Sequence, residues 1–142
     1  MKLVKKQSDL VLILLICLAG FLAVAIGAFG AHGLKKIISA DLMITFETGN
    51  KYHFYHSITA LFAFLMLILS EQNETSEKSN KYLRLSIWMF LTGILIFSFS
   101  LYFLAITGLK ILGAITPFGG VSFLAGWLCL GLGMYYFLVP KK

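Results

Sequence analysis

The sequence predicts an all-α polytopic membrane protein, with four transmembrane helices and a short interfacial amphipathic helix between the first and the second. Of its 142 residues, 59% are hydrophobic and only 13% are charged. A chain this apolar cannot cover its own surface in water, so lipid must form part of its solvent. The apolar residues fall into four runs, each long enough to cross a bilayer. The length fits one compact bundle, and we expect residues 1–142 to form a single domain.

The first apolar run extends from Leu10 to about Gly30 and follows a basic segment. About 20 residues, at about 1.5 Å per residue, match a hydrocarbon core of about 30 Å. A cleaved signal peptide is the alternative, because small residues occur near Ala23. However, the apolar core of such peptides usually covers only about 7–15 residues. We therefore predict a membrane-spanning helix.

Small side chains recur at spacings of three and four along two of the runs. In the first run they are Gly20, Ala23, Gly27 and Gly30. In the fourth run they are Gly119, Ser122, Gly126, Cys129 and Gly133. Faces of small residues let the backbones of membrane helices approach closely, so we predict that these two faces pack against each other. Because Cys17 and Cys129 lie inside apolar runs, no disulfide is expected.

The segment after Gly33 has the pattern of a surface helix. Ser39 is suited to cap its first turn, and Asp41 follows at the positive end of the helix dipole. Apolar and polar residues then separate onto opposite faces as far as Glu47 and Lys51, which are spaced as a favourable ion pair. We predict a short amphipathic helix that ends before the second span begins.

The remaining spans are bounded by polar segments. The second is predicted at Tyr52 to Ser70, followed by the polar loop Glu71 to Asn80, and the third at Leu83 to Ile106. Thr116 followed by Pro117 is typical of a helix start, because threonine caps free amides and proline is favoured at the first helical position. The fourth span is therefore predicted from near Phe118 to Val139.

The distribution of basic residues predicts the orientation. Positive charge favours the cytoplasmic side of a membrane. Eight basic residues lie in the amino-terminal, second-loop and carboxyl-terminal segments, namely Lys2, Lys5, Lys6, Lys78, Lys81, Arg84, Lys141 and Lys142. The first and third connections hold only Lys35, Lys36, Lys51 and Lys110. We predict a bacterial cytoplasmic-membrane protein with both termini in the cytoplasm. Because the lysines do not alternate with aromatic residues, we expect no nucleic-acid partner.

Three blocks in this order resemble a known family: GAFGAHGLKK, FETGNKYHFYH and FSFSLYFLAITGLKILGAITPFGGVSFLAGW. They are similar to the signature regions of domain-of-unknown-function family 423, a group of small bacterial membrane proteins with relatives in animal mitochondria. The resemblance implies four spans and no established activity. It places His32 and His56 at positions that match the family pattern and His53 at a variable one. Phe99 stands where the family tends to have a small residue, and the loop from Glu71 to Asn80 is longer than usual.

All three histidines lie between Gly27 and His56, and they raise the question of a metal or haem site. His53 and His56 share a helical face, and His32 could approach them from the first span. A metal or a haem held through His32, His53 and His56 is one alternative, but the sequence has no metalloprotease spacing or haem-attachment motif. We expect neither haem nor a stoichiometric transition metal. The simpler interpretation is that these histidines bond to headgroups, water or neighbouring hydroxyls.

The leading interpretation is a non-enzymatic protein that binds membrane lipids or a partner, either another membrane protein or a second copy of itself. No nucleophile lies beside a base and no phosphate-binding loop follows a strand, so we expect no enzyme. A transporter component acting as an oligomer is the alternative, although the middles of the spans lack acidic and basic residues.

The candidate binding surface is on the predicted outer face. It consists of His32, Glu47, His56, Thr116, Phe118, Gly119 and Gly120. If the fourth helix begins at Pro117, free amides follow it, and these could attract an anionic group such as a lipid phosphate.

Overall fold

A computed structural model describes residues 7–73 and 76–139, and these residues form helices joined by short connections. The elements are α1 (Gln7–His32), a 3₁₀ turn (Leu34–Lys36), α2 (Ala40–Gln72), α3 (Glu77–Gly93), a π-helical segment (Ile94–Ser98), α4 (Phe99–Thr107) and α5 (Ile111–Leu138). Among them, four helical units are long and apolar enough to cross a membrane: Gln7–Lys36, Ala40–Gln72, Glu77–Thr107 and Ile111–Leu138. The predicted all-α, four-span fold is confirmed.

The predicted interfacial helix is not a separate element, and this correction concerns α2. The Leu42 amide donates to Ser39 Oγ at 3.4 Å, so Ser39 caps the helix as expected, but the helix then continues without a break to Gln72. The side chains become more apolar after Lys51, but a change of polarity does not end a helix. No proline interrupts the backbone of α2, so its hydrogen-bond ladder continues. At about 1.5 Å per residue the 33 residues measure about 50 Å. One end of α2 therefore extends beyond a hydrocarbon core of about 30 Å.

The predicted start of the fourth span near Phe118 is also wrong. The third span ends at Gly108, whose left-handed conformation (φ 72°) favours glycine, and α5 begins at Ile111. Pro117 lies inside α5, and Thr116 donates to the Leu112 carbonyl at 3.2 Å. Proline removes one backbone hydrogen bond, and packing against a neighbouring helix compensates for such a loss in membrane proteins.

The small-residue face of α5 packs against the third span rather than against α1. A Cβ added at Gly119 would overlap the Phe97 backbone, and one at Gly126 would overlap the Phe90 ring. A Cβ added at Gly133 would lie 2.8 Å from Leu83 Cγ. The Ser122 hydroxyl donates to the Met89 carbonyl at 2.8 Å. The prediction of a close-packing face on α5 is therefore confirmed, but the predicted partner was wrong.

The face on α1 instead contacts α2. Gly27 leaves room for the Asn50 side chain, and Gly30 for the Phe46 ring. Ala23 is buried, whereas no atom of residues 7–73 or 76–139 lies within 4 Å of a Cβ added at Gly20, so Gly20 makes no close contact with them. Because α1 packs along α2 and makes no extensive contact with α5, most of its surface faces outwards.

The core of the described residues has two parts. The larger lies between α2, α3 and α5, with Leu12 and Ile16 of α1 closing it from one side. The smaller lies between the 3₁₀ turn, the first half of α2 and α4, around Phe46 and Tyr102. The basic residues Lys2, Lys5, Lys6, Lys141 and Lys142, which support the predicted orientation, lie outside the described residues.

Candidate functional site

The residues of the predicted outer-face surface have different surroundings. His32 and Glu47 are exposed, and Phe118 is exposed on the outward side of α5. Thr116 is buried with its hydroxyl 2.8 Å from that of Ser100. His56, Gly119 and part of Gly120 are covered by neighbouring helices.

The amides of Phe118, Gly119 and Gly120 are not free. A helix leaves only the amides of its first turn without an internal partner, and the first turn of α5 begins at Ile111. These three residues lie further along the helix, where backbone carbonyls accept from their amides. The prediction of an anion-binding helix end at Thr116 to Gly120 was therefore wrong.

His56 is held entirely by its protein neighbours. Its Nδ1 lies 2.8 Å from the Tyr52 carbonyl, and Trp127 Nε1 donates to its Nε2 at 3.4 Å. The ring also stacks on Phe123, with a centroid separation of 3.6 Å and an interplanar angle of 8°. Both ring nitrogens have partners, so His56 stabilises the contact between α2 and α5 and has no free nitrogen for a ligand.

His53 belongs to a buried polar network that joins α1, α2 and α4. Asn50 Nδ2 donates to the Ala23 carbonyl at 2.7 Å and to the Tyr102 hydroxyl at 3.2 Å. His53 Nδ1 lies 3.1 Å from the same hydroxyl, while His53 Nε2 has no hydrogen-bond partner in the part of the chain that the structure describes. A buried polar atom without a partner is rare and costly, so the position of Nε2 requires an explanation.

The His53 ring is part of the wall of a cavity of about 170 Å³ between α1, α2 and the third span, which we call the α1–α3 cavity. Leucines of α1, including Leu18 and Leu22, form one side, and Trp88, Leu95 and Phe99 form the other. The rim residues Leu18, Trp88 and Leu95 are exposed on the apolar surface, so the α1–α3 cavity opens sideways, towards the acyl chains of a surrounding bilayer.

The third span has an irregular backbone where it borders this cavity. Ile94–Ser98 is π-helical, and Ile94 and Leu95 line the cavity. π-Helical segments are rare and often occur at functional sites. Phe99 follows the segment directly, and its ring centroid lies 5.9 Å from that of His53. Phe99 thus packs beside the histidine whose Nε2 has no hydrogen-bond partner among the described residues.

A charge cluster lies at the amino-terminal end of α1, and it was not predicted from the sequence. Arg84 NH1 donates to Asp9 Oδ1 at 2.5 Å, and Arg84 NH2 donates to Glu71 Oε1 at 3.1 Å. The Asp9 side chain is 0% exposed, and its Oδ2 has no hydrogen-bond partner among residues 7–73 and 76–139. The only signal in the sequence was that each of these charges borders an apolar run. The cluster joins α1, α2 and α3 at one end of the bundle.

The three histidines do not converge on one point. His32 is exposed at the end of α1, whereas His53 and His56 are buried in separate networks. No three His, Cys, Asp or Glu residues within 7–73 and 76–139 are grouped so that they could hold a metal ion. The arrangement gives no support to the alternative of a metal or haem held through all three histidines.

Comparison with known proteins identifies similar chains. Residues 26–120 match the family described as "Protein of unknown function (DUF423)". The UPF0382 membrane protein of Haemophilus influenzae is 40% identical over 121 residues, which cover 85% of this chain and 90% of that protein. The UPF0382 membrane protein YwdK of Bacillus subtilis is 41% identical, with 84% and 92% covered. The UPF0382 inner membrane protein YgdD of Escherichia coli is 38% identical, with 82% of each chain covered. No solved structure matches the chain.

Proposed function

The chain belongs to the DUF423 family of membrane proteins, and from its side-chain arrangement we propose that it is a non-enzymatic lipid-binding protein of the bacterial cytoplasmic membrane. The observation that carries the proposal is the α1–α3 cavity, which opens onto the surface that faces lipid. A concave apolar site with few polar groups is the usual form of a binding site for an apolar molecule.

The composition of the cavity wall favours binding over catalysis. Its side chains are apolar except for His53 and Trp88. Acid–base or nucleophilic chemistry needs a reactive group placed beside a second group that activates it. Neither an acidic side chain nor a nucleophilic one stands beside His53 in this wall, so the ring is suited to hold a ligand in place.

Two further observations support the cellular location. The Escherichia coli relative is named an inner membrane protein. The excess of basic residues in the terminal segments and the second loop favours a cytoplasmic position for both termini. In this orientation His53 lies nearer to the outer end of α2 than to the cytoplasmic end.

Native mass spectrometry in mild detergent tests the proposal. We expect wild-type protein to retain a lipid, and Leu18→Trp to lose it because the larger ring fills the mouth of the cavity. Leu14→Trp is the matched control: Leu14 lies one turn away on α1 and is 68% exposed, compared with 50% for Leu18, but it does not line the cavity.

Loss in Leu18→Trp together with retention in Leu14→Trp supports a specific site. If the two variants retain lipid equally, the lipid is bound around the whole bundle and the proposal fails. An enzymatic activity that is lost in His53→Leu would refute the non-enzymatic part.

A further inference from the structure

The hydrogen bonds around His53 specify which polar group a ligand of the cavity must carry. We infer that the α1–α3 cavity binds an uncharged, ring-sized, lipid-soluble molecule through a carbonyl oxygen, which accepts a hydrogen bond from His53 Nε2–H. The headgroup of an isoprenoid quinone has this chemistry. The inference rests on the proposed function and adds the class of the ligand.

The first step is the tautomer of His53. The two amide hydrogens of Asn50 are donated to the Ala23 carbonyl and to the Tyr102 hydroxyl oxygen. The Tyr102 hydroxyl hydrogen then has one acceptor among the described residues, His53 Nδ1 at 3.1 Å. If Nδ1 accepts, a neutral ring carries its hydrogen on Nε2. The opposite tautomer leaves the Tyr102 hydrogen without an acceptor, and therefore the network favours Nε2–H.

The second step is the direction in which His53 Nε2 points. Since Nδ1 faces Tyr102, Nε2 is on the side of the ring turned away from the network. The Ala19 carbonyl interacts with the ring, but its geometry at Nε2 falls outside that of a hydrogen bond, and no other described residue offers Nε2 an acceptor. Trp88 is the other polar side chain of the wall, and an indole can only donate. The side chains of the cavity thus offer donors and no acceptor, and they fit a ligand that accepts.

The third step is the depth of the cavity in the membrane. On the third span its wall extends from Trp88 to Phe99, about 6 to 22 Å along the helix from Arg84. Arg84 is in the charge cluster, which marks one boundary of the apolar layer. In a core of about 30 Å these residues lie around the middle. The ester carbonyls of phospholipids stay beside the charged headgroups at the boundary, whereas an uncharged quinone ring is soluble at this depth.

The fourth step is size. A cavity of about 150 Å³ lined by apolar side chains is known to hold one benzene molecule. The volume of about 170 Å³ therefore accommodates one six-membered ring, and the open mouth allows substituents or a chain to extend into lipid. The His53 side chain is 0% exposed, with Phe99 against it, so wall side chains such as Phe99 must move aside before a ligand oxygen reaches Nε2.

Duroquinone and durene form a matched pair of probes, because both are tetramethyl-substituted six-membered rings and only duroquinone has carbonyl oxygens. Calorimetric titration of detergent-solubilised protein should give a Kd about fivefold lower for duroquinone, the typical gain from one neutral hydrogen bond. His53→Leu should bring the ratio of the two Kd values to about one, and Tyr102→Phe should reduce it because the tautomer is no longer fixed.

Nitrogen-15 histidine NMR of the wild type supplies a second readout that does not depend on any variant folding. We expect a protonated Nε2 on His53, with a resonance that shifts with duroquinone and not with durene. A hydrogen on Nδ1, or equal Kd values for the two probes, overturns the inference but leaves the lipid-binding proposal standing. If neither probe binds while native lipid is retained, the quinone inference alone fails. If no probe or lipid binds, both fail.

Discussion

A close backbone contact between two helices, at Gly119 of α5, predicts a measurable loss of stability on adding one methyl group. In Gly119→Ala the new Cβ would overlap the backbone nitrogen and Cα of Phe97. Backbone atoms in a helix cannot rotate away as a side chain can, so the two helices must separate. Overpacking of this kind typically costs about 1–3 kcal/mol.

Gly131→Ala is the matched control, because Gly131 lies in the same helix and no atom of a described residue is within 4 Å of its added Cβ. Both substitutions gain about 1 kcal/mol of helix propensity, and this term cancels when the variants are compared. We therefore expect Gly119→Ala to be less stable than Gly131→Ala by about 1–3 kcal/mol.

Thermal unfolding in one detergent, followed by tryptophan fluorescence, measures the difference. A shift of about 2–4 °C per kcal/mol applies to chains of about 150–250 residues. Gly119→Ala should therefore unfold several degrees below Gly131→Ala. Equal or reversed midpoints would show that α5 and the third span do not touch at Gly119, and the packing argument would be refuted.

Three further predictions concern orientation, the charge cluster and the cavity. On intact cells, an impermeant thiol reagent should label a single cysteine at Ser39 and not one at Ser76, in a background without the native cysteines; the opposite pattern would invert the topology. Arg84→Gln should cost about 2–4 kcal/mol in thermal unfolding because it leaves the buried Asp9 carboxylate unpaired, with some discount for the partial exposure of Arg84. Adding Asp9→Asn should recover part of that loss, and additive losses would contradict the pairing. Phe99→Ala should uncover the His53 ring and lower the Kd for duroquinone; an unchanged Kd would show that Phe99 does not restrict access.

Features that depend on neighbouring residues were predictable from the sequence. Hydropathy over about 20 residues located the four spans, and the capping serine at position 39 marked where α2 begins. The two boundary errors have a local cause as well. A change of polarity near Lys51 and a proline at position 117 resemble helix ends, but neither overrides a hydrogen-bond ladder supported on both sides by packed helices.

Which helix faces which was decided by the tertiary structure alone. The small residues of α1 and of α5 predicted equally good packing faces. The sequence did not show that Asn50 and Phe46 fill the space beside the face of α1. Nor did it show that Phe97 and Phe90 approach the face of α5. Close packing depends on the shapes of two surfaces together, and one surface does not determine its partner.

The candidate site illustrates the same division. The sequence drew attention to three histidines and matched His32 and His56, but not His53, to a family pattern. Only the fold brings Tyr102 to Asn50, which lies 52 positions earlier in the chain. Only the fold, too, places His53 Nε2 in an apolar wall where no described residue is its hydrogen-bond partner. Hydropathy follows from the residues of a single segment and can be predicted, whereas a hydrogen-bond network exists only once distant segments are packed together.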